Sequence, residues 1–498
     1  MRYISTRGRS GPVTVGEAFL NGLAPDGGLF LPESFPVAPE TLVKTITDWN
    51  YQELASVILG LFLTDYTRQE LAACIKKAYG EQFDTPAVTP VAMVGENLGF
   101  LELWHGPTCA FKDLALQLLP HLLGVAAEKS QRRQELVLLV ATSGDTGKAA
   151  LEGFRDVPGT KVIVFFPEDG VSTVQKRQMI TQEGRNTFVV GVRGNFDQAQ
   201  AGVKALLADG RFREEMAAAG KSFSSANSIN WGRLVPQLVY YFKAWAELLR
   251  QQALAPGETF NVVVPTGNFG NILAAYYGKK LGLPIHKLIC ASNQNNVLTD
   301  FIRTGVYNRN RHFYQTISPS MDILVSSNLE RLLYELVGED PRLVAAYMDQ
   351  LRRDGSYRLT AEEKASLEEN FWAGFASERE TTAAIKAVYD RYHYLIDPHT
   401  AVGYKVYEDY QEATGDRRPV VIAATASPFK FNRGVAAALF SPEVAEQTDE
   451  FVLMEKLSAA SGVPVPPGLS SLKEKPIRHR RVIEPEAMAE TVRKILDQ

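Results

Sequence analysis

Residues 262–277 read VVVPTGNFGNILAAYY. The β-branched run VVV is typical of a buried strand, and ILAAYY continues as a helix, so the chain turns directly from strand to helix. The residues of the turn are Gly267, Asn268, Phe269, Gly270 and Asn271. Such a turn presents backbone N–H groups at a helix N-terminus, which suits a phosphate, and its glycines let the backbone approach the ligand. A tight turn without a ligand is the alternative, and the motif is neither a Walker loop nor GxGxxG.

The same alternation of strand-like and helix-like segments continues on both sides of this stretch. Short apolar runs alternate with helical patterns, and these runs are ELVLLVA, TKVIVFF, NTFVVGV, TFNVVVP, HKLICAS and RPVVIAATAS. Strands separated by crossover helices predict an α/β fold with open, mostly parallel sheets and flanking helices. Ligands of such sheets bind at the carboxyl ends of the strands, so the loops there are the expected site.

The pattern also predicts a domain organisation. We expect a small N-terminal domain over residues 1–95, a catalytic α/β region with two sub-domains over 96–435, and a helical C-terminal tail over 436–498. Residues 308–328 lack a helical period and are predicted to form an ordered loop, whereas residues 340–415 return to helical patterns.

Composition narrows the function classes. The chain has 498 residues and a formal net charge of −4, which gives no electrostatic case for binding nucleic acid. Its three scattered cysteines exclude a disulfide framework and a CxxC metal site, and they fit a reducing cytosol. The N-terminus lacks an apolar signal core, and no stretch reaches the ~20 apolar residues of a membrane span. We therefore expect a soluble, cytoplasmic monomer or homodimer without a metal, nucleic acid or membrane.

A second glycine-rich turn lies in residues 139–154, LVATSGDTGKAALEGF. Between strand and helix it places Ser143, Gly144, Asp145 and Thr146. The glycines are too close for a P-loop and no Ser or Thr follows the lysine, which argues against a kinase. Two anion-friendly loops on one sheet instead indicate a ligand with a phosphate at one end and a carboxylate at the other.

A third strand end lies in residues 420–432, VVIAATASPFKFN. Its small hydroxyl residues, Thr425 and Ser427, suit a hydrogen bond to a ring nitrogen. A plain Ser-Pro turn at the end of a strand is the alternative.

The stretch HGPTCAFKD, residues 105–113, supplies a candidate reactive group. Lys112 follows Phe111 at the start of a helix-like run; alone, such a lysine is usually surface charge. A lysine amine can form a Schiff base with an aldehyde cofactor, and pyridoxal phosphate needs that lysine, a phosphate cradle and a partner for its pyridine nitrogen. Lys112, the 267–271 turn and Thr425 supply all three, and Phe111 would desolvate the amine and lower its pKa.

These blocks together resemble a known family. HGPTCAFKD, TSGDTG, NSINWGRLVPQ (227–237), TGNFGN and ATASPFKF look like the ordered signature blocks of threonine synthases, which are fold-type II (tryptophan synthase β-like) pyridoxal-phosphate enzymes. The opening AFLNGLAPDGGLFLPE, residues 18–33, is similar to that of the longer bacterial and fungal members. The resemblance covers about residues 1–435.

The resemblance implies roles for single residues. It makes Lys112 the Schiff-base lysine, the 267–271 turn the cofactor-phosphate loop and Thr425 the partner of the pyridine nitrogen. Residues 143–146 would hold the substrate carboxylate and the cofactor face. The candidate donors to a substrate phosphate are Asn227, Ser228 and Lys430.

The implied reaction converts O-phospho-L-homoserine and water to L-threonine and phosphate. Two alternatives stay open: a phospho-lyase or serine/threonine dehydratase with the same cofactor, and a non-catalytic relative that binds a phosphorylated amino acid. The presence of Lys112 argues against the binding module, and HGPT before AFKD together with the long N-terminal region argues against the dehydratase. The phospho-lyase is harder to exclude, because it shares the first half of the reaction.

Overall fold

The computed structural model describes residues 1–39, 42, 45–168 and 171–497. The strands of this part are β1 (Tyr3–Ser5), β2 (Phe30–Pro32), β3 (Val91–Met93), β4 (Leu98–Glu102), β5 (Glu135–Ala141), β6 (Thr160–Pro167), β7 (Thr187–Val192), β8 (Lys221–Ser224), β9 (Phe260–Pro265), β10 (Ile285–Ser292), β11 (Val306–Asn308), β12 (Ser356–Arg358), β13 (Phe371–Phe375), β14 (Val420–Ala424) and β15 (Val482–Ile483).

The helices up to the middle of the chain are Val15–Asn21, Tyr51–Phe62, Arg68–Ala78, Asp113–Leu116, Leu119–Lys129, Asp145–Gly153, Thr173–Ile180, Phe196–Ala208, Gly210–Ala218, Trp231–Leu234 and Gln237–Arg250. Those that follow are Gly270–Lys280, Val297–Thr304, Leu329–Leu336, Pro341–Asp354, Ala361–Asn370, Glu378–Tyr392, Pro398–Thr414, Asn432–Leu439, Pro442–Gln447, Glu450–Ser461, Pro467–Ser470 and Met488–Leu496. Short 3-10 turns lie at Ile46–Asp48, Pro319–Met321 and Pro485–Ala487.

Two larger sheets organise the molecule. One has six strands in the order β13-β10-β9-β14-β4-β3, all parallel except the β3–β4 pair. The other has five parallel strands in the order β15-β7-β6-β5-β8. The predicted α/β architecture with mostly parallel sheets is therefore confirmed.

Burial on both faces explains why these runs form parallel strands. All six residues of β9 are buried, and so are all five of β14, its neighbour in the sheet. Helices cover both faces of such strands, so apolar residues are favoured at every position rather than at alternate ones. β4 and β9 flank β14, so the loops after these three strands meet at one edge of the sheet.

Two amphipathic segments near the N-terminus, Tyr51–Phe62 and Arg68–Ala78, are helices, and local hydrogen bonds fix where each one begins. Asn50 and Glu53 form a reciprocal capping box at the start of one helix, and Thr67 and Glu70 form another at the start of the next. Each box satisfies two backbone N–H groups that the first turn of a helix leaves without partners. Within the described ranges no helix combines the length and the apolar character needed to cross a bilayer.

Several short strands depart from the sequence expectation. β13 lies inside the stretch that was predicted to be helical, and it pairs in parallel with β10. β15 lies inside the C-terminal tail, which is therefore not purely helical, and it extends the five-stranded sheet beside β7. Both are too short for alternation to be detected, and pairing with an existing sheet edge decides their structure. The predicted loop 308–328 has only the end of β11 and the Pro319–Met321 turn as regular structure.

Candidate active site

Lys112 lies between the end of β4 and the helix Asp113–Leu116, and its amine points into the protein. Lys112 Nζ donates to Asp145 Oδ2 at 3.1 Å and lies 3.4 Å from Ser320 Oγ, and only 11% of the side chain is exposed. Phe111 packs its ring 5.0 Å from the amine. Burial lowers the pKa of Lys112 below its ordinary value although Asp145 opposes the shift.

Asp145 begins the helix that follows β5, and it is the centre of this cluster. Its Oδ2 accepts from Lys112 and from Ser320 Oγ at 3.0 Å. Its Oδ1 lies 2.9 Å from Lys430 Nζ and accepts from Gln175 Nε2 at 2.9 Å. Burial alone would raise the pKa of Asp145, but the charges of Lys112 and Lys430 outweigh it and hold the pKa well below its ordinary value.

Thr425 lies beside the reactive lysine because two loops at one sheet edge are joined. The Phe111 N–H donates to the Thr425 carbonyl at 2.9 Å, and the Ser427 N–H donates to the Cys109 carbonyl at 3.1 Å. These bonds link the loop after β4 to the loop after β14, which is its neighbour in the sheet. The sequence predicts the Thr425 loop at a strand end, and the sheet order brings the Lys112 loop beside it.

The glycine turn 267–271 has the features of an anion cradle. A Cβ at Gly267 would lie 2.9 Å from the carbonyl oxygen of Ser320, so no side chain fits there. Phe269 has a left-handed backbone (φ 62°), which turns the chain into the helix that begins at Gly270. Asn271 accepts from two tyrosine hydroxyls, while its buried Nδ2 has no hydrogen-bond partner. Free donors at a helix N-terminus favour a phosphate.

Tyr240 and Tyr241 are the donors to Asn271, at 2.6 and 2.5 Å, and both lie on the helix Gln237–Arg250. A buried arginine supports the same turn from the other side. Arg331 donates to Asn328 Oδ1, and Asn328 Nδ2 donates to the Asn268 carbonyl at 3.0 Å. The turn is therefore held rigid by buried hydrogen bonds.

Arg233, a buried cation near the site, is a residue that sequence reasoning missed, as it missed Ser320 and Gln175. It is 2% exposed, its Nη1 donates to the Ala226 carbonyl, and its Nε has no hydrogen-bond partner. Burial lowers the pKa of Arg233 to about 10, and its charge also lowers the pKa of Lys112. An unpaired guanidinium is costly inside a protein unless an anion binds it. The signal was present, since Arg233 lies in the quoted block NSINWGRLVPQ.

The remaining predicted residues flank these groups. Ser143 and Thr146 lie at the N-terminal end of the helix Asp145–Gly153 and are partly exposed. Gly144 has φ 139°, and a Cβ there would lie 2.5 Å from Gln175 Nε2. Asn227 and Ser228 follow Ala226, the acceptor of Arg233, in a turn that leaves Asn227 exposed.

Lys430 and Asp145, which were both predicted to contact the substrate, form an ion pair with each other. Lys430 is fully buried, pairs with Asp145 at 2.9 Å and donates to the Thr108 carbonyl at 2.8 Å. Asp145 carries the same sign of charge as a substrate carboxylate and is already neutralised.

His105 joins the end of β4 to the segment around Asp84. Its Nδ1 lies 2.5 Å from Asp84 Oδ1 and its Nε2 lies 2.8 Å from Glu102 Oε2. Burial alone would lower the pKa of His105, but the hydrogen bonds to the two carboxylates outweigh it and raise the pKa to about 9. A histidine held at both nitrogens acts as a structural clamp.

We expect this clamp to make stability depend on pH. Since the folded pKa of His105 is raised, its stabilisation is complete below the unfolded pKa of about 6.5 and is lost as pH rises through about 9. The free energy of unfolding of the wild type minus that of His105→Gln should shrink by up to about 3 kcal/mol across this range. Denaturant unfolding at pH 6, 7.5 and 9 measures it, and a difference that is constant with pH would contradict the clamp.

Comparisons with known proteins show which family the chain resembles. Three family models match the chain: "Threonine synthase N terminus" at residues 2–79, "Pyridoxal-phosphate dependent enzyme" at 83–363 and "Threonine synthase, C-terminal" at 400–495. Human threonine synthase-like 1 is 42% identical over 86% of this chain, which spans only 58% of that protein. Threonine synthase of Pseudomonas aeruginosa is 38% identical over 88% of this chain and 90% of its own.

A solved structure extends the likeness to the whole fold. The pyridoxal-phosphate-bound threonine synthase of Brucella melitensis superposes with a TM-score of 0.87 at 36% identity, over 100% of both chains. The predicted fold type, the small N-terminal region and the family resemblance are thereby confirmed. The chain belongs to the threonine synthase family of pyridoxal-phosphate-dependent enzymes.

Proposed function

We propose that this protein is a threonine synthase, which uses pyridoxal phosphate to convert O-phospho-L-homoserine and water to L-threonine and phosphate. The observation that carries the proposal is the Lys112 amine. It is buried, its pKa is lowered, and it meets Asp145 at 3.1 Å between two anion-friendly turns. A lysine in this state suits covalent and proton-transfer chemistry rather than surface charge.

The residues present fit the cofactor. The donor-rich turn 267–271, which has no room for a Cβ at Gly267 and leaves Asn271 Nδ2 without a partner, suits its phosphate. Thr425 adjoins the lysine segment through the bond from Phe111 and suits the pyridine nitrogen. When bound, pyridoxal phosphate supplies an electron sink that stabilises negative charge on substrate carbon.

The chain's own residues have separate roles in the proposed reaction. Lys112 moves protons at the substrate Cα and Cβ as general base and acid. Asp145, fixed by Lys430, holds the amine in place for both transfers. Ser143 and Thr146 are left for the substrate carboxylate at the N-terminus of their helix.

Arg233 is the cation that we propose for the substrate phosphate, with Asn227 and Ser228 beside it. Its Nε has no hydrogen-bond partner, whereas Lys430 is paired with Asp145. A planar guanidinium can bind a phosphate through two parallel hydrogen bonds and stabilise its charge as it leaves from Cγ. Water then adds at Cβ.

We also propose that the protein works in the cytoplasm. Its three cysteines are free and buried, with Cα positions spread over different parts of the fold, as expected in a reducing compartment.

Turnover with paired substrates tests the proposed reaction. We expect O-phospho-L-homoserine to give threonine and phosphate in equal amounts and L-homoserine to react negligibly, since hydroxide is a far poorer leaving group than phosphate. Threonine and phosphate should be assayed in the same samples. Equal rates on both compounds, or phosphate released with only 2-oxobutyrate, would refute a threonine synthase, and the latter would favour the lyase.

A further inference from the structure

A buried aspartate and histidine lie behind the active site at the start of the helix Pro398–Thr414. Asp397 is fully buried and accepts from the His399 and Thr400 backbone N–H groups at 3.0 and 3.1 Å, from the Thr400 hydroxyl, and from His399 Nδ1 at 2.5 Å. A carboxylate that already accepts from the two backbone N–H groups and the Thr400 hydroxyl is in its ionised, accepting form. The hydrogen between the two side chains therefore belongs to His399 Nδ1.

The other nitrogen of the ring faces the catalytic cluster. His399 Nε2 accepts from the backbone N–H of Ser320 at 3.1 Å. A backbone amide can only donate, so Nε2 carries no proton and His399 is neutral with a single tautomer. The ring is 2% exposed and packs edge-on against Phe431 at 4.6 Å, which fixes its orientation.

Ser320 touches both halves of the site. Its hydroxyl donates to Asp145 Oδ2 at 3.0 Å and lies 3.4 Å from Lys112 Nζ. Its carbonyl oxygen fills the space in which a Cβ of Gly267 would stand. One residue therefore borders the reactive lysine, its carboxylate and the glycine turn.

The loop that carries Ser320 is anchored on both sides of that residue, and Asn293 Nδ2 also donates to Ser318 Oγ at 3.0 Å. Asp322 accepts from the Thr316 N–H at 2.9 Å and from Asn293 Nδ2 at 2.8 Å. His399 is the side chain that holds the backbone N–H of Ser320 at the tip of the loop. Loss of His399 should therefore displace Ser320, while the contacts of Asp322 with Thr316 and Asn293 stay in place.

We propose that His399, oriented by Asp397, is a positioning residue that sets Ser320 against the Lys112–Asp145 pair and thereby controls turnover. Only the kinetic part of this inference rests on the proposed function. A displacement of about 1 Å in a catalytic group can cost roughly 100-fold in rate, and a hydroxyl held through its own backbone responds to such a displacement.

Two replacements of His399 distinguish loss of the hydrogen bond to Ser320 from a mere change in side-chain size. Glutamine reaches the position of Nε2, where its amide oxygen can accept from the Ser320 N–H. Asparagine reaches only the position of Nδ1, so it keeps the bond to Asp397 and loses the one to Ser320. We expect His399→Asn to lower kcat roughly 100-fold with KM little changed, and His399→Gln to restore most of the rate. Thr400→Val is the control, since it removes a different donor to Asp397 and should leave kcat close to wild type.

Amide hydrogen exchange over residues 316–322 of the holoenzyme gives a readout that needs no substrate. We expect faster exchange in His399→Asn than in the wild type or His399→Gln, with little change in melting temperature. Equal kcat and equal exchange in the two variants would overturn the inference, and so would a loss that follows melting temperature alone. If His399→Asn does not fold, Ser320→Ala decides: wild-type kcat there refutes the positioning role. A wild type that makes no threonine would refute the proposed function, whereas the exchange difference would still stand.

Discussion

Lys112→Ala is expected to lower turnover of O-phospho-L-homoserine by roughly 10⁴-fold or more, because one residue both carries the cofactor and moves protons. The fold should survive, since Asp145 keeps its ion pair with Lys430 at 2.9 Å and is not left as an unpaired buried charge. Initial rates and thermal melting of the purified variant measure both effects. Lys204→Ala, at an exposed lysine, is the matched control and should keep the wild-type rate.

The same residue can be identified chemically. Borohydride should fix the cofactor to the wild-type protein, and peptide mapping should find the adduct on Lys112. An adduct on another lysine, or a Lys112→Ala variant that keeps its rate, would contradict the assignment.

Arg233→Met is expected to lower kcat/KM for O-phospho-L-homoserine by about 100-fold, or ~3 kcal/mol, as for the loss of a charge-assisted hydrogen bond to phosphate. Stability should stay level or rise, because the variant removes a buried guanidinium that forms no ion pair in the described part of the chain. In this variant kcat/KM should thus fall while the melting temperature stays level or rises.

Arg331→Met is the contrasting variant. Its guanidinium is also buried, but it donates to the carbonyls of Phe30 and Ile229 and to Asn328, so its loss should lower the melting temperature. If Arg233→Met lowers the melting temperature as Arg331→Met does and leaves kcat/KM unchanged, Arg233 is structural and the phosphate must be held elsewhere.

Local patterns in the sequence were enough to predict the sheets and the parts of the site that lie at strand ends. The run VVVP followed by the 267–271 turn predicts a strand, a helix and an anion cradle without knowledge of any contact. Lys112 and Thr425 were paired by the needs of the cofactor and by their resemblance to family blocks, and the sheet order supplies the physical reason, since β4 and β14 are neighbours.

What the sequence could not predict depends on contacts between distant segments. Lys430 looks like a free cation in the sequence, and only the folded chain brings it to Asp145. Ser320 lies in a stretch without period, and His399 follows Asp397 in what reads as an ordinary helix start. The unpaired state of Arg233 is likewise invisible, because a lack of partners is a property of the fold.

Isotope labelling in H₂¹⁸O tests the central claim most directly. If phosphate leaves by cleavage of the Cγ–O bond and water adds at Cβ, threonine should carry one ¹⁸O in its hydroxyl group and the released phosphate should carry none. Mass spectrometry of both products from one reaction decides it. Threonine without the label, ¹⁸O in the phosphate, or ¹⁸O found in 2-oxobutyrate instead of threonine would contradict a threonine synthase.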